Sequence, residues 1–432
     1  MKIVNIGHNY EYAVQQSVST YFPMEDVEVR TELTGNGETS TATCIINGQF
    51  TGRASTGKKD DRSLQYIVKT AVYRAYLDMD RGKPVWGSLT GVRPGKLMRQ
   101  VMDIGRFMDE YDVSEERARL AYETSVYTEK AEESLGDNDA CLYFGVPFCP
   151  TRCLYCSFVS QSTEKTMKLI EPYLDAVCRE IKPVSSRIVS VYFGGGTPTT
   201  LTAEQLDRVC SRLESAYDFS ALREFTVEAG RPDTITAEKL EVLKKHGVTR
   251  ISVNPQTMND GVLEIIGRKH TAQDVLDAVK LAGDFDINMD IIAGLPGDSP
   301  ESFRNTVDTL LGLGPANITV HTLSLKKGSS LVKNIPRLPE TKEMLDYAYL
   351  KLRENGYEPY YLYRQKNMTG GFENTGWTRP GHENLYDICM MEELCSVIGI
   401  GAGASTKTVG KNGEICRKVN PKYPLEYIEK YV

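Results

Sequence analysis

The sequence predicts an α/β protein built mainly as a partial (β/α)6 barrel, with a small N-terminal α/β domain and a C-terminal extension. Two observations support this fold class. From about residue 140 to 325, six β-like runs alternate with segments of helical period, as in parallel α/β proteins. The loop after the first run is rich in cysteine, and active-site loops of α/β barrels follow the carboxyl ends of strands. A doubly wound sheet is the alternative, because periodicity does not reveal strand order.

The predicted strands are short apolar runs, and helix start signals stand between them. The runs are 142–148, 188–193, 224–228, 250–254, 287–293 and 318–325. After the second run, Thr202 is followed three residues later by Gln205, which is the spacing of a capping box. After the fifth run, Ser299 precedes Pro300, which favours an N-cap followed by proline at the first helical position.

The remaining segments predict further domains around the barrel. Alternation at 26–30 and a helical stretch at 64–76 predict a small α/β domain over residues 1–85. We expect a helical connector over 86–139, the barrel over 140–330, and a C-terminal extension over 331–432 that completes the substrate side.

Composition predicts a cytoplasmic protein without a nucleic-acid partner. The chain has 432 residues and a net charge of −7, from 51 Lys and Arg against 58 Asp and Glu, so no basic excess indicates nucleic-acid binding. Its 10 cysteines have no disulfide-like pairing in their spacing, which indicates a reducing compartment. The first residues lack the apolar core of a signal peptide, and no run approaches the roughly 18 apolar residues of a membrane span.

Three cysteines form the most informative motif of the chain. Cys149, Cys153 and Cys156 have the spacing CxxxCxxC, which suits a [4Fe–4S] cluster held by three thiolates with one iron left open. A disulfide framework would need an even set and a secreted context, and a structural zinc site would need a fourth Cys or His nearby. Three unrelated loop cysteines are the remaining interpretation.

Aromatic residues beside this motif complete a known signature. With Tyr143 before the first cysteine and Tyr155 before the last, the segment resembles the radical S-adenosylmethionine (radical SAM) superfamily. The resemblance implies that the open iron binds S-adenosylmethionine and that Tyr155 packs near an adenine. The later run Gly194-Gly195-Gly196-Thr197 resembles the superfamily's glycine segment, where glycine lets the backbone approach a ligand.

Polar residues recur at the ends of the later apolar runs. They are Glu228, Gln256 and Asp290. Because a buried polar group without a partner costs about 1–3 kcal/mol, this placement indicates that a ligand or a hydrogen-bond network satisfies them.

Taken in order, the motifs over about residues 140–405 resemble the oxygen-independent coproporphyrinogen III oxidases (coproporphyrinogen dehydrogenases). The long N-terminal segment resembles the second bacterial type of that family. The resemblance implies a radical SAM barrel with its cluster on Cys149, Cys153 and Cys156. It also implies two S-adenosylmethionine sites. The first would use Tyr143, Gly195 and Glu228, and the second would use Tyr155, Gly196, Thr197, Gln256, Arg268 and Asp290.

The implied reaction is oxidative decarboxylation of coproporphyrinogen III to protoporphyrinogen IX by a 5′-deoxyadenosyl radical, in haem biosynthesis. The expected partners are the porphyrinogen substrate and a low-potential electron donor such as flavodoxin or ferredoxin. Because the substrate carries carboxylates, cations must bind it, and Arg364 and Lys366 are candidates with Arg268 and Lys269.

Two alternatives share the same cofactor residues. One is a haem chaperone that binds and transfers haem, and the other is a radical SAM enzyme that acts on haem itself. His382 bears on this choice, because Gly381 to Tyr386 partly matches the haem-ligand stretch of the related haem chaperones. In this chain Glu383 separates the His and Asn of that stretch, and Asp387 replaces an aromatic residue, so catalysis is preferred.

Overall fold

The computed structural model describes residues 1–23, 25–158, 160–324, 340–365, 368–410 and 413–432. The chain forms two compact units. The first consists of Met1–Ser125 and Leu362–Glu373, and the second of Val126–Tyr361 and Asn374–Val432. The predicted division into four domains is finer than these two units, and it stays a prediction.

The first unit contains a four-stranded sheet covered by helices. Strands β1 and β2 are parallel, and β3 and β4 continue the sheet in antiparallel order. The predicted helix at 64–76 is confirmed. The elements are β1 (Lys2–Ile6), α1 (Glu11–Tyr21), β2 (Glu28–Gly35), β3 (Ser40–Ile46), β4 (Phe50–Thr56), α2 (Asp61–Leu77), α3 (Pro94–Val101), α4 (Ile104–Tyr111) and the first part of α5 (Glu115–Glu133), which continues into the second unit from Val126.

Residues 362–373 join the first unit through a buried polar network. The indole Nε1 of Trp86 donates to Glu373 Oε2 at 2.5 Å, and Arg117 Nε lies 2.9 Å from Glu373 Oε1. Both of these charged side chains are fully buried, and Arg117 Nη1 also pairs with Glu116 Oε2 at 2.6 Å, so the network ties Glu373 to α5.

The second unit contains an eleven-stranded sheet. Six parallel strands, β5 and β8 to β12, lie side by side in chain order. The eleven strands are β5 (Asp139–Val146), β8 (Arg187–Gly195), β9 (Glu224–Val227), β10 (Arg250–Ser252), β11 (Asp286–Ala293), β12 (Asn317–Thr322), β13 (Glu358–Tyr363), β14 (Asn374–Thr378), β15 (Ser396–Gly401), β16 (Ser405–Val409) and β17 (Ile415–Val419). A separate two-stranded sheet consists of β6 (Phe148–Cys149) and β7 (Gln161–Ser162).

This strand order confirms the predicted partial barrel. A doubly wound sheet reverses its strand order at a switch point, whereas the six strands here follow one another without reversal. All six predicted strands are present, although Leu325, the predicted end of the last one, lies outside the described residues. Strand β15 extends the parallel row beside β5.

Helices follow the parallel strands as the start signals predict. Thr202 and Gln205 form a reciprocal capping box, and Ser299 caps a helix that begins at Pro300. None of the helices in the described ranges is long and apolar enough to span a membrane. The helices are α6 (Thr163–Thr166), α7 (Ile170–Glu180), α8 (Ala203–Glu214), α9 (Ala237–Lys245), α10 (Asp260–Ile265), α11 (Ala272–Ala282), α12 (Pro300–Leu313), α13 (Thr341–Glu354), α14 (Leu385–Glu392) and α15 (Pro424–Lys430).

Polar side chains line one face of the parallel strands. In β11, buried Ile287 and Met289 alternate with partly exposed Asn288 and Asp290. Because side chains alternate between the two faces of a strand, the apolar set packs against the helices while the polar set shares the inner face of the barrel. The inner face therefore carries the groups that can bind a polar ligand.

Candidate active site

The three motif cysteines lie in the loop that leaves β5, and all three are partly buried. The loop begins at the short strand β6, which pairs with β7 and includes Cys149. A backbone hydrogen bond of 3.2 Å from Cys156 N to Cys153 O closes its turn. A further bond from Leu154 N to Ile266 O, 3.0 Å long, fixes the loop to the end of α10. The motif is thus held at the carboxyl end of a central strand.

Hydrogen-bond donors approach two of the three sulfurs. The hydroxyl of Thr197 donates to Cys149 Sγ at 3.4 Å. The buried guanidinium of Arg231 lies 3.9 Å from Cys153 Sγ and donates to Thr151 Oγ1 at 3.0 Å. Because thiolates carry negative charge, these donors stabilise the ligand form that an iron–sulfur cluster needs. The surroundings of the motif therefore fit a thiolate-bound cluster.

The glycine run after β8 is packed against this loop by backbone contacts. Gly195 has a φ of +102°, and a Cβ at Gly196 would lie 2.4 Å from Phe148 O. Gly196 N donates to Val146 O at 2.6 Å, and Thr197 N donates to Phe148 O at 2.8 Å. A side chain at either glycine would push the cysteine loop away from β8, so the chain itself requires both glycines there.

Glu228 lies on the inner face beside this run. The hydroxyl of Tyr192 donates to Glu228 Oε1 at 2.7 Å. Burial raises the pKa of Glu228 to about 8, although the hydrogen bond from Tyr192 acts in the opposite direction. The carboxyl group is therefore poised to ionise when a cationic ligand arrives, which suits a contact with the amino group of a cofactor.

Asp290 lies further along the same face and behaves differently. Burial raises its pKa, but hydrogen bonds from His321 and Asn288 outweigh this effect and lower the pKa overall. Asn288 Nδ2 lies 2.8 Å from Asp290 Oδ1, and His321 Nε2 lies 3.7 Å from Asp290 Oδ2. This contact places the ring of His321 on the inner face. The inner face thus holds one carboxyl group that is readily protonated and one that is held ionised.

Gln256 supplies a buried acceptor without a partner. Its backbone has a φ of +67° and bridges to β11 through bonds to Asp290 and Ile292. Its side-chain Oε1 is buried and makes no hydrogen bond to the described residues. An unpaired buried acceptor destabilises the fold by about 1–3 kcal/mol, and a hydrogen bond from a bound donor group would remove this destabilisation. This atom fits the implied cofactor.

Arg268 and Tyr155 tie the cysteine loop to the strand ends. The guanidinium of Arg268 donates to Gly230 O at 3.0 Å, to Asn254 O at 2.9 Å and to the hydroxyl of Tyr155 at 3.0 Å. Tyr155 also packs on an apolar cluster of α10 and β11. Arg268 therefore positions this loop, and its predicted contact with a cofactor stays a prediction.

Tyr143 belongs to a group of three stacked tyrosines. Its ring lies 6.3 Å from Tyr192 and 6.1 Å from Tyr386, and the latter two are 4.4 Å apart. The stack connects the start of the cysteine loop to Glu228 through the hydroxyl of Tyr192. Tyr192 and Tyr386 were not predicted as site residues, although Tyr192 precedes the glycine run by two residues.

Asp387 is a further side chain that sequence analysis did not assign to the site. It accepts a hydrogen bond of 3.0 Å from the hydroxyl of Tyr360, and burial together with the charge of Glu224 raises its pKa to about 7. One feature of the sequence marked this position: Asp387 stands where the haem-ligand stretch of the related haem chaperones has an aromatic residue.

The predicted substrate cations gain no support from their contacts. The guanidinium of Arg364 is buried in the first unit, where it donates to Leu89 O at 2.5 Å and to Gly371 O at 2.8 Å. Backbone carbonyls thus engage both of its terminal nitrogens, while Nε is buried without a hydrogen-bond partner among the described residues. Lys366 lies outside the described residues. Lys269 is exposed and pairs with Glu164 at 3.0 Å.

His382 also has local partners. Its Nδ1 lies 3.0 Å from Asp286 Oδ1, and the side chain is 45% exposed. Its backbone carbonyl accepts bonds from Arg250 and Asn317. The residue ends a turn on the surface of the second unit, and its contacts give no specific support to a haem ligand.

Comparisons with known proteins agree with this geometry. Residues 143–310 match the Radical SAM superfamily. The chain is 35% identical to the oxygen-independent coproporphyrinogen-III oxidase-like protein HemZ from Bacillus subtilis, over 94% of this chain and 86% of that protein. It is 32% identical to the heme chaperone HemW from Lactococcus lactis, over 62% of this chain and 69% of that protein.

A solved structure supports the fold. Coproporphyrinogen III oxidase (HemN) from Escherichia coli is similar with a TM-score of 0.57 and 23% identity, over 71% of each chain. This likeness concerns the fold alone, while the identity along nearly the whole chain concerns the family. The chain belongs to the radical SAM superfamily and, within it, to the family of oxygen-independent coproporphyrinogen-III oxidase-like proteins.

Proposed function

We propose that the protein converts coproporphyrinogen III to protoporphyrinogen IX without oxygen, by oxidative decarboxylation of two propionate groups. The observation that carries this proposal is the placement of Glu228, paired with Tyr192, beside a three-cysteine loop at the same edge of the parallel strands. Three thiols and an ionisable carboxyl group at one strand edge are what a cluster and a cationic sulfonium cofactor need. The choice of substrate is supported by the 35% identity to an oxidase-like protein.

The chain's own residues would bind and orient the reacting groups. When bound, the cluster and S-adenosylmethionine would supply the radical chemistry that takes a hydrogen atom from the β-carbon of a propionate; loss of CO2, with one electron passed to an acceptor, would then leave the vinyl group. Thr197 and Arg231 donate toward the cysteine sulfurs. Glu228, once ionised, accepts from the ammonium of the cofactor, and Gln256 Oε1 accepts from a second donor group. Such fixed contacts hold the target carbon in place, and positioning of this kind lowers the barrier substantially.

Asp290 and His321 support a second cofactor site in this proposal. Asp290 is held ionised by its neighbours, and it faces the same interior as Glu228. Two cofactors match a reaction that acts on two propionates. The proposal also includes a low-potential donor such as flavodoxin or ferredoxin and a cytoplasmic location.

The test is an anaerobic assay of the full chain after cluster reconstitution. Protein, dithionite and S-adenosylmethionine are incubated with coproporphyrinogen III, with haem, or without substrate. We expect 5′-deoxyadenosine, CO2 and a vinyl porphyrin only with coproporphyrinogen III. Formation of 5′-deoxyadenosine with no vinyl product would contradict the proposed substrate while leaving the family assignment intact.

The relatives named as haem chaperones provide the competing outcome. Stable, equimolar haem binding by the wild type without any vinyl product would favour a chaperone. Consumption of haem with cleavage of S-adenosylmethionine would favour an enzyme that acts on haem. The Cys153→Ala variant is the control in each arm, because it should make no 5′-deoxyadenosine.

A further inference from the structure

A second group of three cysteines lies away from the motif loop. Cys141 is in β5, Cys389 is in α14, and Cys395 immediately precedes β15. All three are buried. Their sulfur atoms lie within 4.8 Å of one another, and Cys141 Sγ is 3.6 Å from Cys395 Sγ. Three thiols from three separate segments therefore converge on one point.

The spacing of these sulfurs matches a metal site. A Zn–S bond of about 2.3 Å places two thiolates of a tetrahedral site about 3.8 Å apart. The observed 3.6 Å is close to that distance, and it is much longer than the roughly 2.05 Å of a disulfide bond. We propose that Cys141, Cys389 and Cys395 form a second metal site for one closed-shell thiophilic ion. The three thiolates would hold Cu⁺ by themselves, whereas Zn²⁺ would take a small exogenous fourth ligand, such as water, to complete its tetrahedron.

The three segments are fixed by contacts that do not involve the sulfurs. Strands β5 and β15 are parallel neighbours, with Cys141 opposite Val397, so Cys395 lies two residues from that register position. The Glu224 carboxylate accepts hydrogen bonds from the backbone N–H groups of Leu385 and Tyr386, at 2.9 and 2.7 Å, and these bonds fix the start of α14. The thiols are therefore placed before any ion binds, and this lowers the entropic cost of binding.

The loop between the second and third thiols is equally constrained. Leu394 N donates to Cys389 O at 3.3 Å. Lys407 Nζ donates to Met390 O at 3.1 Å and lies 3.6 Å from Glu393 Oε1. Because both ends of this short segment are held, Cys389 and Cys395 keep their distance from each other.

The other buried cysteines make a useful contrast. Cys44 and Cys210 are also buried, yet neither belongs to a convergent group of ligand atoms among the described residues. Single buried cysteines behave as small apolar residues, whereas three sulfurs within 4.8 Å of one another present the soft donor set that Zn²⁺ and Cu⁺ prefer. Three thiolates with Zn²⁺ carry a net charge of −1, whereas three thiolates with Cu⁺ carry −2. Because a buried site disfavours net charge, burial favours Zn²⁺ over Cu⁺.

An ion at this point would brace one wall of the candidate active site. Tyr386 lies on α14, three residues before Cys389, and stacks on Tyr192, whose hydroxyl donates to Glu228. Binding would tie α14 to β5, two residues before Tyr143. The site is thus a structural metal site for the tyrosine stack, separate from the motif cysteines.

The test measures the metal bound by a full-length variant whose motif loop can no longer bind metal. A background variant carries Cys149→Ser, Cys153→Ser and Cys156→Ser together. It is loaded anaerobically with Zn²⁺ or with Cu⁺, washed with a weak chelator, and assayed by mass spectrometry of the elements. We expect an equimolar amount of one ion. The amount should fall to background after a further Cys389→Ser or Cys395→Ser change and persist after Cys210→Ser, the matched control.

A spectroscopic measurement keeps the proposal testable if a triad variant fails to fold. Co²⁺ added to the background variant should give an intense thiolate-to-metal absorption, which addition of Zn²⁺ abolishes. The reconstituted wild type should likewise contain zinc or copper in addition to iron. Absence of any tightly bound ion in both proteins would overturn the proposal, as would metal retained by both triad variants. A Cys141–Cys395 disulfide in metal-free protein would also overturn it.

Discussion

The two cysteine triads of this protein are built in opposite ways. The motif triad occupies eight consecutive residues in a partly buried loop, and donors from Thr197 and Arg231 approach its sulfurs. The buried triad joins residues up to 254 positions apart in the sequence, and its sulfurs lie within 4.8 Å of one another. Spacing along the chain therefore reveals one triad, while only packing reveals the other. The comparison also separates the two proposed roles, because a cluster with an open iron would serve chemistry and an enclosed ion would serve structure.

The largest expected effect separates the two triads directly. Cys153→Ala should abolish iron binding and 5′-deoxyadenosine formation, because three thiolates are needed to hold a cluster with one open iron. Cys395→Ser should keep the iron and lose the second metal. Iron and sulfide content, with product chromatography, measure the outcome. Cys178→Ala, a partly buried cysteine of α7, is the control. Wild-type turnover by Cys153→Ala would contradict the motif assignment.

The next effect concerns cofactor affinity near the motif triad. Glu228→Gln should weaken S-adenosylmethionine binding by about 10- to 100-fold, since a hydrogen bond to a charged group contributes about 1.5–3 kcal/mol. Titration calorimetry under nitrogen measures it, with exposed Glu204→Gln as control. Unchanged affinity would show that Glu228 serves only the network with Tyr192.

The raised pKa of Glu228 adds a pH dependence to the same contact. Below about pH 8 the carboxyl group is protonated and must lose its proton to bind an ammonium group. Wild-type affinity should therefore rise with pH, by at most about tenfold per unit, and level off above pH 8. Glu228→Gln should show a flat profile. Folding stability has the opposite sign: between about pH 4.5 and 8 the unfolded chain has lost this proton while the folded chain still holds it, so the stability of the wild type falls as pH rises through that window.

A smaller effect is expected on the reduction potential of the cluster, because the Thr197 hydroxyl donates to a sulfur of the motif triad and thereby affects its charge. Thr197→Val removes the donor to Cys149 Sγ and should lower the reduction potential of the cluster, because the hydroxyl stabilises the more negative, reduced state. One hydrogen bond of about 0.5–1.5 kcal/mol corresponds to roughly 20–60 mV for a one-electron couple. Thr197→Ser should retain the potential. Potentiometric titration followed by electron paramagnetic resonance measures both variants, and equal potentials in all three proteins would contradict the contact.

The smallest effect is expected at His382. Its contact with Asp286 is an exposed pair, worth at most about 1 kcal/mol of stability. His382→Ala should therefore keep porphyrin conversion and change the free energy of unfolding very little. Denaturant unfolding and the anaerobic assay measure the two quantities. Loss of a haem absorption band in this variant, with no vinyl product from the wild type, would favour the chaperone.

The sequence by itself determined the parts of the protein that depend on neighbouring residues. The CxxxCxxC spacing, the alternating runs and the Thr202–Gln205 capping box are local patterns, because strands, caps and loop ligands involve nearby positions. For the same reason the parallel strands and the cysteine loop were predicted correctly. The comparison with HemZ then confirmed the family that these patterns resemble.

Tertiary structure decided the features that depend on contacts between residues far apart in the sequence. Arg364 follows a strand as a ligand-binding arginine would, yet its guanidinium binds the carbonyls of Leu89 and Gly371. The buried triad gives no sequence signal, because Cys141 and Cys395 meet only when β15 pairs with β5. Side-chain partners of this kind are fixed by the order of strands in the sheet, and local periodicity carries no information about that order.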